Sequence, residues 1–430
     1  MTNSEKYRRS GIARLANTAS LLILFVTTIM AQAQTYRVIH SFGWYEGSTP
    51  VAGLTIGPGG NLYGTALEGG DDNGYICQLY SDTAGCGTVF KLWNHQGDWM
   101  FSLLFKFNGS DGAYPATSVT FGPNGSLYGE TGLGGSCTYS SYGCGTIFNL
   151  TPGATAPPAV LGLWSESVPY AFTGNDDGGP YPSAVIFDNA GNLYGTTDYG
   201  TYNAGNVFEF TPLGGHWSET VLYSFYGGSD GQYPKGVLAD AGFNHLFGIT
   251  FKGGNDGCGS AGCGTIFELT RGESGWTKTT LHTFADGGDG AWPEFTPIMD
   301  AAGNLYGTTG GYNNPGTVWE MSPSNGGWTF TVLYTFSTPA AGPFSGLAMD
   351  AAGNLYGTTY QGGLYNDGSV FELSPSNGGG WTYTDLYNFT GGTDGGWPEG
   401  DVALDGNGNI YGITTGGGSS SKGVVWEITR

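Results

Sequence analysis

From residue 36 onward, short apolar runs alternate with polar segments rich in Gly, Asn, Asp and Pro. The runs, such as "TVLYTF" and "GTVF", are roughly four to seven residues long and rich in β-branched and aromatic residues. Nothing in this part of the chain has the periodicity of an amphipathic helix. The pattern therefore predicts an all-β protein.

The apolar runs recur in a fixed order. The segment "GNLYGT", or a close variant, occurs seven times, and a proline precedes its second glycine by 14 residues, or by 13 in the third repeat. Spacing this constant predicts two paired strands joined by a fixed turn. The glycines are Gly64, Gly129, Gly195, Gly248, Gly307, Gly357 and Gly412, and the prolines are Pro50, Pro115, Pro182, Pro234, Pro293, Pro343 and Pro398.

Two further strands follow in each repeat. A run like "GTVF" begins at Gly87, Gly145, Gly205, Gly264, Gly316, Gly368 and Gly423, and a fourth apolar run ends at Phe107, Phe172, Phe225, Phe284, Phe336 and Phe389. Four strands in about 55 residues indicate a propeller blade, slightly longer than the roughly 40 to 50 residues of familiar blades. The last repeat lacks its fourth strand, and "YRVIHSF" (36–42) near the start of the chain has the missing pattern.

We therefore predict a seven-bladed β-propeller of four-stranded blades, with the N-terminal strand completing the last blade and closing the ring. The predicted domain covers residues 34–430. Its blades span approximately 43–107, 108–172, 173–225, 226–284, 285–336, 337–389, and 390–430 together with 34–42.

Residues 1–33 have the layout of a secretory signal peptide. Four basic residues precede a mainly apolar run from Leu21 to Met30, and "AQA" follows it, so we expect cleavage after Ala33. A membrane anchor would need about 18 apolar residues, which exceeds this run. We expect no membrane span once the leader is removed, and a secreted or periplasmic location.

The charge balance excludes several classes of partner. The chain carries 13 Lys and Arg against 35 Asp and Glu, a net charge of −22, and removal of residues 1–33 takes away four basic residues and one acidic residue, which gives −25. Such a surface repels phosphate backbones and anionic lipid. We expect no nucleic-acid partner, and we expect a monomer.

The order Asp-Gly, Pro, apolar strand, "DAAGNLYGTT" and "GTVWEMSP" resembles the GloVer tandem repeat of secreted and surface bacterial proteins, and the wider NHL-like propeller pattern. The resemblance covers residues 36–430. It implies a propeller outside the cytoplasm and brings no established activity, cofactor or catalytic residue. Many members of the family carry a C-terminal surface anchor, whereas this chain ends at Arg430 directly after a strand, which favours a freely secreted or periplasmic protein.

The six cysteines form three local pairs. Cys77 with Cys86, Cys137 with Cys144, and Cys258 with Cys263 lie in the three longest loops after a second strand. In an exported protein such pairs are expected to be disulfides. Metal binding and redox catalysis are the alternatives, but no pair has nearby His or further Cys to complete four ligands.

The loop leading into each blade repeats the pattern Asp-Gly-x-aromatic-Pro. One interpretation is structural, with Asp-Gly making the turn and the ring packing between blades. The other is a ligand site in which aromatic rings stack on sugars and carboxylates accept hydroxyl hydrogen bonds. The candidate ligand-binding residues are Tyr114, Tyr181, Tyr233, Trp292 and Trp397 with Asp111, Asp177, Asp230, Asp289 and Asp394. We predict no cofactor, although Ca²⁺ stays open at "NDDGG" and "DGGDG".

No catalytic constellation emerges. His40 and His282 align with tyrosines of the fourth strand, and there is no nucleophile elbow. A glutamate recurs after the strand-three aromatic residue in five blades, which favours a role within each blade.

Three functions stay open. The first is a non-enzymatic binding propeller that recognises polysaccharide or a cell-envelope protein through the face with the long stapled loops. The second is a carbohydrate-active or lactone-cleaving enzyme, which needs acids from different blades, or Ca²⁺, at the central channel. The third is a structural envelope protein.

Overall fold

Seven antiparallel sheets make up the regular structure, and in six of them the order of strands follows the chain. The computed structural model describes residues 34–70, 77, 85–137, 140–153, 164–174, 176–179, 183–214, 216–254, 257–313, 315–337, 342–376 and 378–430. The predicted signal peptide lies outside these residues. Gln34–Arg430 forms one compact unit.

Each sheet is one blade with its shortest strand innermost. First strands are Thr55–Ile56, Thr120–Phe121, Ile186–Phe187, Gln232–Ala239, Ile298–Met299, Ala348–Met349 and Ala403–Leu404, the last preceded by Gly396–Pro398. Second strands are Leu62–Ala66, Leu127–Thr131, Leu193–Thr197, His245–Lys252, Leu305–Thr309, Leu355–Thr359 and Ile410–Gly416.

The two outer strands are longer than the inner ones in every blade except four and seven. Third strands are Thr88–His95, Thr146–Thr151, Asn206–Leu213, Thr265–Gly272, Thr317–Ser324, Ser369–Pro375 and Val424–Thr429. Fourth strands are Asp98–Lys106, Ser165–Ala171, His216–Ser224, Gly275–Thr283, Gly327–Thr335, Trp381–Asn388 and Thr35–Ser41. Short 3₁₀ turns occur at Pro58–Gly60, Gly228–Asp230 and Gly259–Ala261. Within the described part of the chain, no helix is long and apolar enough to span a membrane.

The N-terminal strand closes the ring, as the sequence predicts. Thr35 lies opposite Thr429, and Ser41 lies opposite Val424, so the first strand of the chain pairs with the last. The Tyr36 ring also stacks on Tyr387 of the preceding blade, with centroids 3.6 Å apart and planes 9° apart. The seven-bladed, all-β propeller is therefore confirmed.

The glycine of "YGT" makes room for the aromatic residue of the third strand. A Cβ on Gly64 would lie 2.6 Å from Cζ of Phe90, and one on Gly307 would lie 2.2 Å from the Trp319 ring. Both rings are fully buried. The repeated Gly and the repeated aromatic residue are therefore two halves of one contact within each blade.

The glycine that opens the third strand explains the repeated proline. Gly205 has φ +99°, and a Cβ there would lie 2.3 Å from Cδ of Pro234 in the next blade. The same close approach joins Gly264 to Pro293. Glycine is required at this position because the backbone is left-handed and the neighbouring proline leaves no space for a side chain.

The recurring glutamates form side-chain hydrogen bonds within their own blades. In blade five, the Tyr306 hydroxyl lies 3.2 Å from Oδ2 of Asp300 and 3.4 Å from Oε1 of Glu320. In blade four the tyrosine is replaced by Phe247, and Nδ1 of His245 lies 2.6 Å from Oε1 of Glu268 instead. These contacts tie the hairpin turn of the first two strands to the third strand.

Candidate functional site

Two sets of loops share one face of the propeller, which we call the loop face. These are the loops after the second strands and the loops that lead into the first strands. Backbone hydrogen bonds join them: Trp292 N–H donates to the Cys263 carbonyl at 2.8 Å, and Tyr114 N–H donates to the Cys86 carbonyl at 2.9 Å. This is the arrangement that an up-and-down blade predicts.

All three cysteine pairs are disulfide-bonded. Cys77 is joined to Cys86, Cys137 to Cys144, and Cys258 to Cys263. In each pair the second cysteine stands immediately before the glycine that opens a third strand. The bonds therefore anchor the long loops of the loop face to the rigid end of a strand.

The five candidate aspartates all cap turns. Each accepts a hydrogen bond from a backbone N–H three or four residues upstream: Asp111 from Asn108 (2.9 Å), Asp177 from Thr173 (2.8 Å), Asp230 from Tyr226 (2.9 Å), Asp289 from Ala285 (3.1 Å) and Asp394 from Thr390 (2.9 Å). Nε2 of His282 lies 3.1 Å from Oδ2 of Asp289, and the His282 ring stacks on the Phe330 ring with centroids 3.8 Å apart. Its position is that of a fourth-strand aromatic residue.

The candidate aromatic residues do not share one cavity. Tyr114, Tyr233, Trp292 and Trp397 all have φ between 55° and 59°. Tyr114 is only 3% exposed and packs in the core, whereas Trp397 is 39% exposed. Tyr233 and Trp292 are half-buried. Tyr181 lies outside the described residues, and none of the other four lines the channel mouth described next.

A cavity of about 400 Å³ lies where the blades meet on the loop face, and we call it the channel mouth. Six of the seven blades line it, which places it on the propeller axis. Its wall includes the residues that directly follow the repeated prolines: Val51, Ala116, Ser183, Lys235, Glu294 and Glu399. Asp198 and Asp401 complete its charged lining. Within a regular scaffold, these positions differ in chemistry from blade to blade.

An ion pair links blades three and four at the channel mouth. Nζ of Lys235 lies 2.8 Å and 3.0 Å from the two carboxylate oxygens of Asp198. Burial raises the pKa of Asp198, and the charge of Lys235 opposes that rise. The pair therefore contributes little net charge to the cavity.

Three further acids converge there from blades five and seven. Burial, and then the charge of Glu294, raise the pKa of Glu399 to about 7. Burial also raises the pKa of Glu294, which reaches solvent through the cavity. Asp401 accepts a hydrogen bond from the Gly346 N–H at 2.8 Å, and burial raises its pKa. At neutral pH, Glu294 and Glu399 therefore hold part of a proton between them.

An aromatic pair from blade six lies beside these acids. Phe344 directly follows its blade proline, is 36% exposed, and packs on Tyr360 with ring centroids 5.4 Å apart. Burial, followed by the charge of Glu399, raises the pKa of the Tyr360 hydroxyl, so this ring lies near the carboxyl group. Around the axis, blade six stands between the blades that supply Glu294 and Glu399.

The sequence reasoning missed these residues, although a signal was present. Reading one position past the repeated prolines gives Val, Ala, Ser, Lys, Glu, Phe and Glu across the seven blades. A position that varies in size and charge directly after an invariant proline, at the entrance to the first strand, indicates a site on the axis.

Blade two also departs from the repeat pattern, at a residue that does not line the channel mouth. Glu130 occupies a position that holds Thr65, Thr196, Thr308 and Thr358 in four other blades. It is fully buried, and neither carboxyl oxygen has a hydrogen-bond partner among the described residues. Burial raises its pKa well above the ordinary value, because the charged form would lose its hydration and gain no hydrogen bond in return.

The described residues form no assembled Ca²⁺ site. Within the described residues, no group of three or more His, Cys, Asp or Glu side chains is arranged to hold a metal ion. Asp177 of "NDDGG" accepts hydrogen bonds from Thr173 and Tyr170 instead.

Solved structures share the fold. An ulvan lyase is similar with a TM-score of 0.52 and 11% identity, over 90% of this chain and 95% of that one. A periplasmic gluconolactonase of Pseudomonas aeruginosa is similar with a TM-score of 0.51 and 14% identity, over 89% and 93%. At such identities the likeness shows the fold alone. No curated protein matches the chain.

The repeat itself identifies the family. The sequence model of the Gloeobacter/Verrucomicrobia repeat matches residues 137–348 and 260–430, which together cover more than half of the chain. This protein therefore belongs to the Gloeobacter/Verrucomicrobia repeat family.

Proposed function

We propose that the protein is an exported carbohydrate-binding propeller whose ligand site is the channel mouth. The observation that carries this proposal is that Glu294 and Glu399 line one cavity, while Phe344 of the intervening blade presents a partly exposed ring at the same repeat position. The exposed face of an aromatic ring attracts the C–H face of a sugar. Carboxylates on either side accept hydrogen bonds from the hydroxyl groups at the ring edge.

The charge of the cavity supports a neutral ligand. Lys235 is already paired with Asp198, whereas Glu294, Glu399 and Asp401 have no cation bonded to them among the described residues. An anionic sugar such as a uronate would meet like charges in a partly desolvated wall. We therefore expect neutral hexose or acetamido-sugar ligands to bind and polyuronates to be rejected.

The three disulfides support the exported location. Disulfides persist in secreted and periplasmic proteins and are rare in the cytosol. The predicted leader at residues 1–33 agrees with this location.

The test is calorimetric titration with neutral and uronic oligosaccharides. Phe344→Ala removes the stacking ring, and Glu294→Gln removes a charged acceptor, so each should weaken binding about tenfold or more. There are two control variants. Leu364→Ala removes an exposed side chain from the same blade as Phe344. Glu273→Gln removes an exposed acid at a turn between a third and a fourth strand. Unchanged affinity in both site variants would refute the proposal.

A second candidate, hydrolysis of a glycosidic bond, is favoured by the raised pKa of Glu399. With its proton, Glu399 can donate to the leaving oxygen, while ionised Glu294 can take a proton from the attacking water. Turnover should then fall as the pH rises above about 7, because Glu399 loses that proton. Glu399→Gln should abolish the release of reducing ends and retain binding. If the unsubstituted protein binds the oligosaccharide but releases no product, hydrolysis is refuted and the binding function remains.

A further inference from the structure

A second cavity, of about 430 Å³, lies on the loop face between blades four and five. Its walls are the rings of Phe251, Trp292 and Tyr312, and we call these three residues the aromatic cradle. Trp292 stands in the middle, with ring centroids 4.6 Å from Tyr312 and 5.8 Å from Phe251. Tyr312 is 43% exposed, so the cradle opens to solvent.

The cradle is built rigidly. Nε1 of Trp292 donates a hydrogen bond to the Gly262 carbonyl at 3.3 Å, which fixes the indole against the stapled loop. The floor is the 3₁₀ turn Gly259–Ala261, closed by the disulfide between Cys258 and Cys263. A side chain that is already ordered loses less conformational entropy when it binds a ligand.

The backbone of Tyr312 is also held in place. Its N–H donates to Oδ1 of Asp286 at 3.2 Å, and the N–H of Asn313 donates to the same carboxylate. Asp286 is 7% exposed. The buried carboxylate thus supports the outer wall of the cradle.

The cradle continues outward from the channel mouth. Trp292 and Glu294 are separated by Pro293 alone, so one short segment supplies a wall to both cavities. Phe251 takes the repeat position that Asp198 takes at the mouth. Nζ of Lys235, a residue of the mouth, lies 5.9 Å from the Phe251 ring.

Lys252 adds a polar group to the cradle. Its ammonium lies 5.5 Å from the centre of the Phe251 ring and 5.4 Å from that of Tyr233. Aromatic walls beside polar hydrogen-bonding groups suit a sugar, whose ring has apolar faces and a hydroxylated edge.

We propose that the aromatic cradle is a second sugar subsite, and that the ligand is a neutral oligosaccharide running outward from the channel mouth over blades four and five. This inference rests on the proposed function, since the mouth supplies the first subsite. It assigns the ligand a minimum length, because a monosaccharide can occupy only one of the two cavities.

The test compares glucose, mannose and N-acetylglucosamine with cellohexaose, mannohexaose and chitohexaose by calorimetric titration. We expect at least one hexamer to bind at least tenfold more tightly than its monomer. Tyr312→Ala should remove most of that gain and leave monomer affinity unchanged. Tyr365→Ala, which removes another exposed tyrosine from the loop of blade six, is the matched control.

The outcomes separate the two proposals. Phe344→Ala, beside the mouth, should weaken both lengths, whereas Tyr312→Ala should weaken hexamers alone. If hexamers bind no better than monomers, or if Tyr312→Ala changes both lengths equally, the second subsite is refuted while the mouth stands. If Phe344→Ala changes neither length, the mouth proposal fails instead. If no probe binds, both proposals fail.

Discussion

The buried carboxyl group of Glu130 should make the stability of the protein depend on pH. The carboxyl is fully buried in blade two, and neither of its oxygens has a partner among the described residues. Burial is what raises its pKa well above 4.5. Glu130→Gln keeps the size and shape of the side chain but cannot ionise. Comparison of the two proteins therefore isolates one proton.

The sign follows from proton binding in the two states. Below pH 4.5 the carboxyl is protonated in both the folded and the unfolded chain, so the stability that its neutral form allows is fully present. Above pH 4.5 the unfolded chain loses the proton while the folded chain keeps it. Each further pH unit then lowers the free energy of unfolding by about 1.4 kcal/mol, until the pH passes the folded pKa.

Urea unfolding of both proteins at pH 5, 6 and 7 measures this slope. All other titrating groups are common to the two chains, so their contributions cancel in the difference. We expect the Gln variant to gain stability relative to the unsubstituted protein by about 1.4 kcal/mol per pH unit. Glu130→Thr, the residue of four other blades, should show the same slope, and Glu273→Gln, at an exposed turn, should show none. A difference that stays constant with pH would mean that Glu130 is ionised in the folded protein, and would refute the reasoning.

Three further predictions concern stability. Gly205→Ala places a side chain on a left-handed backbone and against the next blade, so it should lower the free energy of unfolding by about 2 to 4 kcal/mol. The control is Gly326→Ala, where φ is +87° but a Cβ would meet no atom within 4 Å, and the loss should be only about 1 to 2 kcal/mol. Thermal melting of both variants measures the difference. Tyr36→Ala removes the ring that stacks across the closing blade and should cost about 3 kcal/mol in urea unfolding, whereas Tyr45→Ala, at a side chain 75% exposed, should cost nothing measurable. Reduction of the three disulfides should lower the melting temperature, since each closes a loop worth roughly 2 to 3 kcal/mol; an unchanged melting temperature after complete reduction would refute that role.

The fold could be read from the sequence because each repeated residue makes the same contact in each blade. Gly205 must accommodate Pro234 of the next blade, and Gly307 must accommodate Trp319 within its own. Such contacts cannot vary without a clash, so they leave a pattern at constant spacing. The split last blade follows from the same pattern, because an N-terminal strand with the sequence of a fourth strand has one vacant position to fill.

The candidate site was less accessible to sequence reasoning. The Asp-Gly-x-aromatic-Pro loops attracted attention because they repeat, yet Asp230 closes a turn and Tyr114 lies in the core. Residues such as Glu294 and Glu399 stand 105 positions apart and have no local pattern of their own. Only the closed ring brings them to one cavity and raises their pKa values through burial.

A repeat protein separates structural from functional residues by symmetry. A residue needed by every blade must repeat, as the glutamates that meet a tyrosine hydroxyl or a histidine do. A ligand on the axis contacts each blade once and is not itself seven-fold symmetric, so the residues that recognise it must differ between equivalent positions. The charged side chains of Lys235, Glu294 and Glu399 share the wall of the channel mouth with the small side chains of Val51 and Ala116. This asymmetry is what a site for one oriented ligand requires, and what a purely structural ring would have no reason to maintain.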